Sequence, residues 1–445
     1  MNFIPHTDAD IQHMMQTIGL GDLEELFEDI PQSIRLKRPL NLSSGRSEPE
    51  LWQHVQNLAE MNTGAEMVCF AGAGAYDHFV PPVVKQLASR GEFVTSYTPY
   101  QPEISQGTLQ VIFEYQSLIC QLLEMDLANA SLYDGSTALA EACIIALRET
   151  GSKQISVAGT LHPEYAQVLE TYARAWGVRI NHLPHENGRT LSDVWQSDRY
   201  ECGAALIVQQ PNFFGQIEEM HQLSRWAHQQ EALFVAVVDP LTLGILPSPG
   251  SYDADLAVGE GQPLGQPLQY GGPYLGFMAA KQNYLRQLPG RIVGQTTDLS
   301  GRRGFVLTLQ AREQHIRRER ASSNICTNQA HNALMATIYL SWLGPAGLRE
   351  IGELCLEKSR YLADRIGELP GYRILYPDRF IKEFVVQTPV PAREILQQAM
   401  QHGMIAGVDL GRFRAEWQDL LLVAVTEMRT RQEMDALVSI LGERS

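Results

Sequence analysis

The chain has 445 residues, a length that suits two or three domains with large cores. Its formal net charge of -16 argues against a nucleic-acid-binding protein, because such proteins present a basic face. We expect neither a secretion signal nor a membrane span, since the first residues lack a basic and an apolar segment and no run of about 18 apolar residues occurs. Six scattered cysteines without a CxxC pair favour reduced thiols in the cytoplasm.

The beginning of the chain is predicted to be helical. Ser47 with Glu50 three residues later is a capping box, and Leu51, Val55 and Leu58 then recur on one helical face. We predict three parts: a helical N-terminal arm at 1–65, a large doubly wound α/β domain at 66–325 and a small C-terminal α/β domain at 326–445.

The middle of the chain alternates apolar segments with helical segments. The segments 204–210 and 233–239 are apolar without alternation, which is typical of buried parallel strands. A helix is predicted at 134–149, and another after the strand-like segment 154–158. This order predicts βαβ units and a mostly parallel sheet with helices on both faces. A long helix is predicted to begin near Cys326.

The start of one predicted helix suits a phosphate. Gly135, Ser136 and Thr137 offer free N–H groups and two hydroxyls at a helix N-terminus, and in open α/β sheets ligands bind at the carboxyl ends of the strands. An ordinary helix capped by Asp134 explains the same residues, so this feature alone does not define a site.

Two further residues fall at the same predicted edge of the sheet. Asp239 ends a buried strand and could hold a pyridinium nitrogen, a metal or a ribose. His162 begins the helix after 154–158 and could stack on an aromatic cofactor. A proline follows each of them, so both are equally well explained as turn residues.

These features, in this chain order, resemble the pyridoxal-phosphate-dependent transferase fold of the aspartate-aminotransferase type. Such an enzyme needs a lysine after the next strand, whose amine forms an imine with the cofactor aldehyde. Gln262 stands at the expected position, and no lysine lies between Lys153 and Lys281. A carboxamide nitrogen has a delocalised lone pair and cannot replace the amine. We expect Lys281 to point to solvent.

Four segments resemble the glycine cleavage system P-protein, specifically its N-terminal half, which is subunit 1 (the α-subunit) where that protein is split. They are residues 96–142, 268–280, 290–298 and 309–330, and the resemblance covers nearly the whole chain. It implies that the C-terminal half, or β-subunit, carries the lysine and pyridoxal phosphate, whereas this half keeps the fold without covalently bound cofactor. Gln262 in place of the lysine agrees with that division.

The resemblance also implies a reaction and partners. With the β-subunit, in an α2β2 assembly, the chain would decarboxylate glycine and transfer the aminomethyl group to the lipoyl arm of the H-protein; alone it would be inactive. The alternatives are an independent pyridoxal-phosphate enzyme that uses an unusual lysine, a pure scaffold for the β-subunit, and a free-standing binder of glycine or phosphate. An imine absorbance of the purified chain would favour the first alternative.

The expected contribution of this half is a wall of the partner's active site. The residues that we predict at this mouth lie on a loop punctuated by prolines: Tyr97, Tyr100, Gln101 and Glu103. The alternative is a loop packed within its own domain.

A basic cluster is the second predicted interface. Its members are Arg312, Arg317, Arg318 and Arg320. They would bind carboxylates at the subunit interface or on the acidic H-protein, or else form salt bridges within the chain. No metal site is predicted, because the ligand-like pair His182 and His185 lacks a third ligand.

Overall fold

The computed structural model describes residues 5–94, 96–197, 199–325 and 327–443. The chain divides into two compact units, Met1–Ala65 and Glu66–Ser445. Cys326, where we placed the start of the long helix and the last domain boundary, lies outside the described residues, and the division within the second unit stays a prediction. No helix of the described ranges is long and apolar enough to cross a membrane.

The first unit contains two α-helices, α1 (Asp8–Ile18) and α2 (Glu48–Glu60). The predicted capping box of α2 is present, since the backbone N–H and the hydroxyl of Ser47 donate to Glu50 at 2.9 and 2.7 Å. Neither helix has a buried residue. The apolar face of α2 is therefore open within this unit, and Leu51, for example, is 52% exposed.

The second unit contains the remaining described helices and strands. Its helices are α3 (Pro82–Ala88), α4 (Gln106–Leu123), α5 (Gly135–Thr150), α6 (Pro163–Trp176), α7 (Asp193–Gln196), α8 (Met220–Gln229), α9 (Gln314–Arg317), α10 (Ala330–Gly367), α11 (Ala392–Gln401) and α12 (Arg431–Gly442). Its strands are β1 (Val68–Cys69), β2 (Leu127–Ala128), β3 (Gln154–Ala158), β4 (Arg179–Leu183), β5 (His185–Glu186), β6 (Arg189–Thr190), β7 (Ala205–Gln210), β8 (Leu233–Val238), β9 (Leu256–Glu260), β10 (Gly276–Ala280), β11 (Ile292–Thr297), β12 (Arg303–Thr308), β13 (Arg373–Leu375), β14 (Glu383–Gln387), β15 (Met404–Ile405), β16 (Val408–Asp409) and β17 (Leu420–Ala424).

The main sheet has the order β2–β10–β9–β8–β7–β3–β4. The pairs from β9 across to β4 are parallel, and β10 runs antiparallel to both of its neighbours. This arrangement confirms the predicted mostly parallel sheet. All six residues of β8 are buried, as expected for a central strand with apolar side chains on both faces.

Helices cover both faces of this sheet. Phe234 and Val235 are neighbours on β8 and belong to different cores, because successive side chains of a strand point to opposite faces. Phe234 packs in a core that includes Tyr115 of α4, whereas Val235 packs in a core that includes Leu139 of α5. The two cores fix α5 and the carboxyl ends of the strands, which carry the candidate site.

A second, antiparallel sheet follows in the order β13–β14–β17–β16. Its core contains residues of α10, α11 and α12. The long helix α10 is interrupted at Gly344, where φ is 62°. Pro345 follows and disfavours helical backbone at the residue before it, so α10 consists of two helical segments.

The hairpin of β11 and β12 was not predicted from the sequence. Strands β11 and β12 pair antiparallel from Ile292 opposite Thr308 to Thr297 opposite Arg303. The outer half of β11 is polar and exposed, so the segment lacks the apolar alternation that marks a half-buried strand.

Candidate functional site

The carboxyl edge of the main sheet brings the predicted cofactor-pocket residues together. Asp239 follows β8, His162 follows β3, and Gln262 follows β9. The first turn of α5, beginning at Gly135, lies beside the end of β9, since the Gly135 N–H donates to Glu260 at 3.0 Å. The predicted residues therefore share one site with Glu260, which was not predicted. We call this site the inner pocket: His162, Asp239, Glu260, Gln262 and the start of α5.

Gln262 is fully buried, and both polar atoms of its carboxamide form hydrogen bonds within the chain. Its Oε1 accepts the N–H of Tyr76 at 2.9 Å, and its Nε2 donates to the carbonyls of Tyr76 and Gln266 at 3.0 and 2.8 Å. The carboxamide thus binds the backbone of another segment as a neighbouring strand would. It offers neither an amine nor a free polar group to a ligand.

The start of α5 is occupied by carboxylates of the chain itself. Asp134 accepts the N–H of Thr137 at 2.7 Å and the hydroxyls of Ser136 and Thr137 at 2.7 and 2.9 Å. Glu260 accepts the Gly135 N–H. The N–H groups of Gly135 and Thr137 and both hydroxyls are therefore engaged within the chain, as the capped-helix interpretation expects.

Glu260 is an unexpected carboxyl group at this position. Besides Gly135, it accepts the N–H groups of Gln262 and Leu275 at 3.0 and 2.9 Å. Burial raises the pKa of Glu260 to about 7, although the hydrogen bonds from Leu275 and Gly135 act in the opposite direction. The group therefore changes charge near neutral pH.

His162 is held by its own chain on every side. Its Nδ1 accepts the N–H of Glu164 at 3.1 Å, so Nε2 carries the proton and donates to the Ala73 carbonyl at 2.9 Å. Burial lowers the pKa of His162, which favours this neutral form. The ring packs against Tyr165 and Phe213, with centroid distances of 5.1 and 5.0 Å.

Asp239 is paired with a lysine from the other sheet. The Nζ atom of Lys382 bonds to Oδ2 of Asp239, and only 3% of the lysine side chain and 12% of the aspartate side chain are exposed. The same ammonium lies 3.3 Å from the centroid of the Tyr76 ring. The aspartate that could hold a pyridinium nitrogen, a metal or a ribose therefore already holds a cation of its own chain.

The next residue, Glu383, extends this network. Its carboxylate accepts the Tyr76 hydroxyl at 2.7 Å and the Ala73 N–H at 2.6 Å. Burial raises the pKa of Glu383 and of the Tyr76 phenol. Lys382 and Glu383 together fasten the segment around Tyr76 to the end of β8.

The space left beside Asp239 is too small for pyridoxal phosphate. The cavity lined by Asp239, His162 and Glu260 has a volume of about 30 Å³, whereas pockets for organic ligands measure roughly 300–1,000 Å³. A second cavity of about 340 Å³ adjoins it, since both are lined by His162 and Glu260, and it reaches Ser136 at the start of α5. Since Asp239 and the α5 N-terminus are both engaged, the residues present do not fit this cofactor.

Lys281 does not reach the inner pocket. It lies at the opposite edge of the sheet, where its Nζ contacts Asp253 and Asp255 at 2.8 and 2.9 Å. The side chain is 30% exposed. The expectation that it points to solvent was wrong, because these two carboxylates hold it against the protein.

The predicted mouth residues lie on an irregular, exposed stretch before α4, which we call the lip segment (residues 97–104). Tyr97 is 88% exposed and Tyr100 is 50% exposed; Gln101 and Glu103 are also exposed. Arg291 holds the base of the segment through a contact with the Tyr100 ring, 5.6 Å from its centroid. The lip segment is therefore available for a partner, and its role stays a prediction.

The predicted basic cluster has mixed surroundings. Arg312 donates to the backbone carbonyls of Leu288 and Gly290, so its guanidinium fastens its own chain. Arg317 donates to the Ala311 carbonyl at 3.2 Å. Of the two remaining members, Arg318 is exposed, and Arg320 is exposed with Glu319 at 4.0 Å. An interface role remains open mainly for these two.

One group of possible metal ligands occurs among the described residues, formed by His78, Cys355 and Glu427. His78 Nδ1 lies 2.6 Å from Glu427, whose other oxygen accepts the Phe79 N–H at 2.7 Å. Burial acts to raise the pKa of Glu427, but the hydrogen bond and charge of His78 and the hydrogen bond from the Phe79 N–H together outweigh it, and the net pKa is lowered. These hydrogen bonds give the carboxylate a structural role, and the predicted lack of a metal site stays a prediction.

Sequence reasoning missed Lys382 and Glu260. Glu260 ends the apolar segment of β9, and a carboxylate at the carboxyl edge is a readable signal. Lys382 stands directly before the apolar strand β14, where it is one of only six lysines in the chain. Nothing in the local sequence indicates that it reaches Asp239, which lies 143 residues earlier.

Comparison with known proteins identifies the family. The family model for the glycine cleavage system P-protein matches residues 1–441. The chain belongs to the glycine cleavage system P-protein family.

Relatives and solved structures agree with that membership. The chain is 51% identical over 444 residues to a protein of Desulforamulus reducens and 51% identical over 441 residues to one of Moorella thermoacetica, both named probable glycine dehydrogenase (decarboxylating) subunit 1, with 99% of each chain covered. A crystal structure of the P-protein glycine decarboxylase in inhibitor-bound form matches with a TM-score of 0.90 and 44% identity over 100% of both chains. The chain is accordingly a P-protein subunit.

More distant structures confirm the predicted fold class. A sphingosine-1-phosphate lyase of Burkholderia pseudomallei matches with a TM-score of 0.65 at 13% identity, covering 92% of each chain. At that identity the match concerns the fold alone. This P-protein chain therefore has the pyridoxal-phosphate-dependent transferase fold that the sequence predicted, and its inner pocket is filled by its own side chains.

Proposed function

We propose that this chain is the subunit of glycine dehydrogenase (decarboxylating) that carries no pyridoxal phosphate, and that the cofactor and its lysine belong to a β-subunit. The observation that carries the proposal is the ion pair of Lys382 with Asp239, together with Gln262 at the position of the expected lysine. In this arrangement the chain contributes surface to the partner's site, not an imine.

The lip segment is the surface that we assign to the partner. Tyr97 and Ile104 are 88% and 81% exposed. Large apolar and aromatic side chains make favourable contacts at protein interfaces, so these two suit a surface that a partner covers. Pro99 within the segment and Ser105 directly after it are buried and hold the segment in place. Arg318 and Arg320 are our candidates for contacts with carboxylates of the partner or of the lipoyl H-protein.

The compartment forms part of the same proposal. The described cysteines, Cys69, Cys120, Cys143, Cys202 and Cys355, are free. Free, mostly buried thiols are typical of proteins from a reducing compartment. This usage supports the cytoplasm as the place where the complex acts on glycine.

An independent pyridoxal-phosphate enzyme is the second candidate, and one observation favours it. Lys382 is a lysine that reaches the inner pocket, so it is the amine that such an enzyme would use. Its bond to Asp239 argues against this function, because forming an imine would draw Nζ away from the buried carboxylate that it compensates.

The test is glycine–bicarbonate exchange by the purified chain alone, by a purified β-subunit alone and by the mixture with H-protein. We expect a colourless, inactive chain that restores exchange in the mixture. A chain that shows imine absorbance and exchanges label alone would overturn the proposal. A mixture no faster than the β-subunit alone would reduce this chain to a scaffold.

A further inference from the structure

The inner pocket contains two charged side chains at the places where the phosphate and the protonated ring nitrogen of pyridoxal phosphate would bind in this fold. The first is negative. Glu260 accepts the N–H of Gly135 at the start of α5, where the helix dipole and free N–H groups favour an anion. A carboxylate therefore occupies the position that suits a phosphate.

The second charge is positive. Lys382 places its ammonium on Asp239 at the end of β8, with the Tyr76 ring beneath it. An ammonium there replaces the protonated ring nitrogen that a strand-end aspartate would otherwise hold.

The backbone at Lys382 supports a specific role. Its φ is 65°, in the left-handed region that residues with a β-carbon rarely adopt. Such a conformation costs free energy and persists only where the surrounding structure imposes it. Here it accompanies two opposite anchors, Lys382 on Asp239 and Glu383 on Tyr76.

We propose that Glu260 and Lys382 exclude pyridoxal phosphate from this chain by occupying the two charged contacts that its phosphate and its ring nitrogen would make. The missing lysine alone would only prevent the imine. A cofactor can bind without that bond, so a pocket that must stay empty needs a second barrier. Glu260 repels the phosphate, and Lys382 takes the partner of the ring nitrogen and occupies its space.

The test measures binding of pyridoxine 5′-phosphate by calorimetry to the whole chain at about pH 8. This probe has no aldehyde, so it cannot form imines with surface lysines. Glu260→Ala with Lys382→Ala opens both contacts. Glu319→Ala with Lys85→Ala is the matched control, because it removes the same charges from exposed positions. We expect the opened variant to bind the probe about tenfold or more tightly than the wild type and the control, since each restored charged hydrogen bond is worth roughly that factor.

A second measurement covers the case in which the double variant does not fold. Glu260→Ala alone keeps the Lys382–Asp239 pair, and we expect it to bind inorganic phosphate about tenfold more tightly than the wild type. A wild-type chain that binds the probe as tightly as the opened variant overturns the proposal. So does a folded variant that binds no better than the control.

This inference rests on the proposed function, but an experiment can contradict the inference without contradicting the proposed function. The binding test uses no partner, glycine or H-protein. If the opened variant gains no binding while the mixture of subunits still exchanges label, only the exclusion by Glu260 and Lys382 is wrong. If the wild type binds the probe tightly, the assignment of the cofactor to the partner is also wrong.

Discussion

The inner pocket and the lip segment differ in how the chain treats polar and apolar groups. In the pocket, Gln262 and Lys382 are buried, and both they and Glu260 are bonded within the chain. In the lip segment, Tyr97 and Ile104 are left exposed. An active enzyme of this fold would keep its pocket open. Here the side chains of the pocket are bonded to one another and the surface is open, as expected if this chain acts through its surface.

The largest expected effect comes from breaking the closed pocket. Lys382→Met or Asp239→Asn removes one partner of a buried ion pair, and we expect each to lower the free energy of unfolding by about 3–5 kcal/mol. The double variant should recover most of that loss, because no charge is left uncompensated. Urea unfolding followed by circular dichroism measures all three.

The exposed pair Arg90 with Glu92 provides the control for this cycle, since its side chains are 56% and 62% exposed. The corresponding changes, Arg90→Met and Glu92→Gln, should cost only about 0–1 kcal/mol. If the pocket variants cost no more than these, the ion pair does not close the pocket.

The pH dependence of stability gives the next effect. Burial raises the pKa of Glu260 from 4.5 to about 7, so the folded chain binds the proton more tightly than the unfolded chain. The resulting stabilisation is complete below about pH 4.5 and is lost as the pH rises through 7. Between about pH 5 and 8 the free energy of unfolding of the wild type should fall by roughly 2 kcal/mol more than that of Glu260→Gln.

The exposed change Glu319→Gln is the control for that experiment and should keep the wild-type pH profile. Identical profiles for the wild type and Glu260→Gln would mean that Glu260 stays ionised throughout this range, with its three N–H donors outweighing burial.

A smaller effect is expected for substitutions in the exposed lip segment. Tyr97→Ala should lower the exchange rate of the mixed subunits by about tenfold, because a displaced active-site wall misplaces reacting groups. The stability of the isolated chain should stay unchanged, since the ring is 88% exposed. We also expect the subunits still to assemble, because one side chain is a small part of an interface. Exchange kinetics measure the rate, and gel filtration of the same mixture measures the assembly of the subunits.

Tyr97→Phe keeps the ring and should keep most of the rate. Loss of assembly in Tyr97→Ala, with the rate per assembled complex unchanged, would favour a scaffold over a subunit that shapes the site.

The smallest effect is expected in the first unit. Trp52 of α2 is 74% exposed, and α2 has no buried residue. Trp52→Ala should therefore change the free energy of unfolding of the isolated chain by less than about 0.5 kcal/mol. A larger loss in urea unfolding would mean that this helix packs in solution.

Local signals explain why much of the fold could be predicted. Asp134 caps α5 at its start and Gly151, with φ of 69°, ends it, so the sequence defines this helix almost to the residue. The apolar run of β8 is long enough and uninterrupted enough to mark a buried parallel strand. The sequence of each of these segments therefore indicates where the helix or strand begins and ends.

The site was predicted only in part, for a physical reason. Asp239, His162 and Gln262 could be placed because strand ends meet at one edge of a parallel sheet. The partners of these residues come from distant segments, such as Lys382 for Asp239 and Ala73 for His162. Such contacts depend on how the second sheet packs, and no local pattern encodes that packing.

The central claim is that the cofactor lies outside this chain, and it can be tested by locating the lysine that holds it. Borohydride reduction of the active mixture of subunits fixes pyridoxal phosphate on its lysine, and mass spectrometry of the digest then identifies the peptide. We predict the phosphopyridoxyl group on a lysine of the partner subunit. Recovery of that group on Lys382 of this chain, in proportion to activity, would contradict the account.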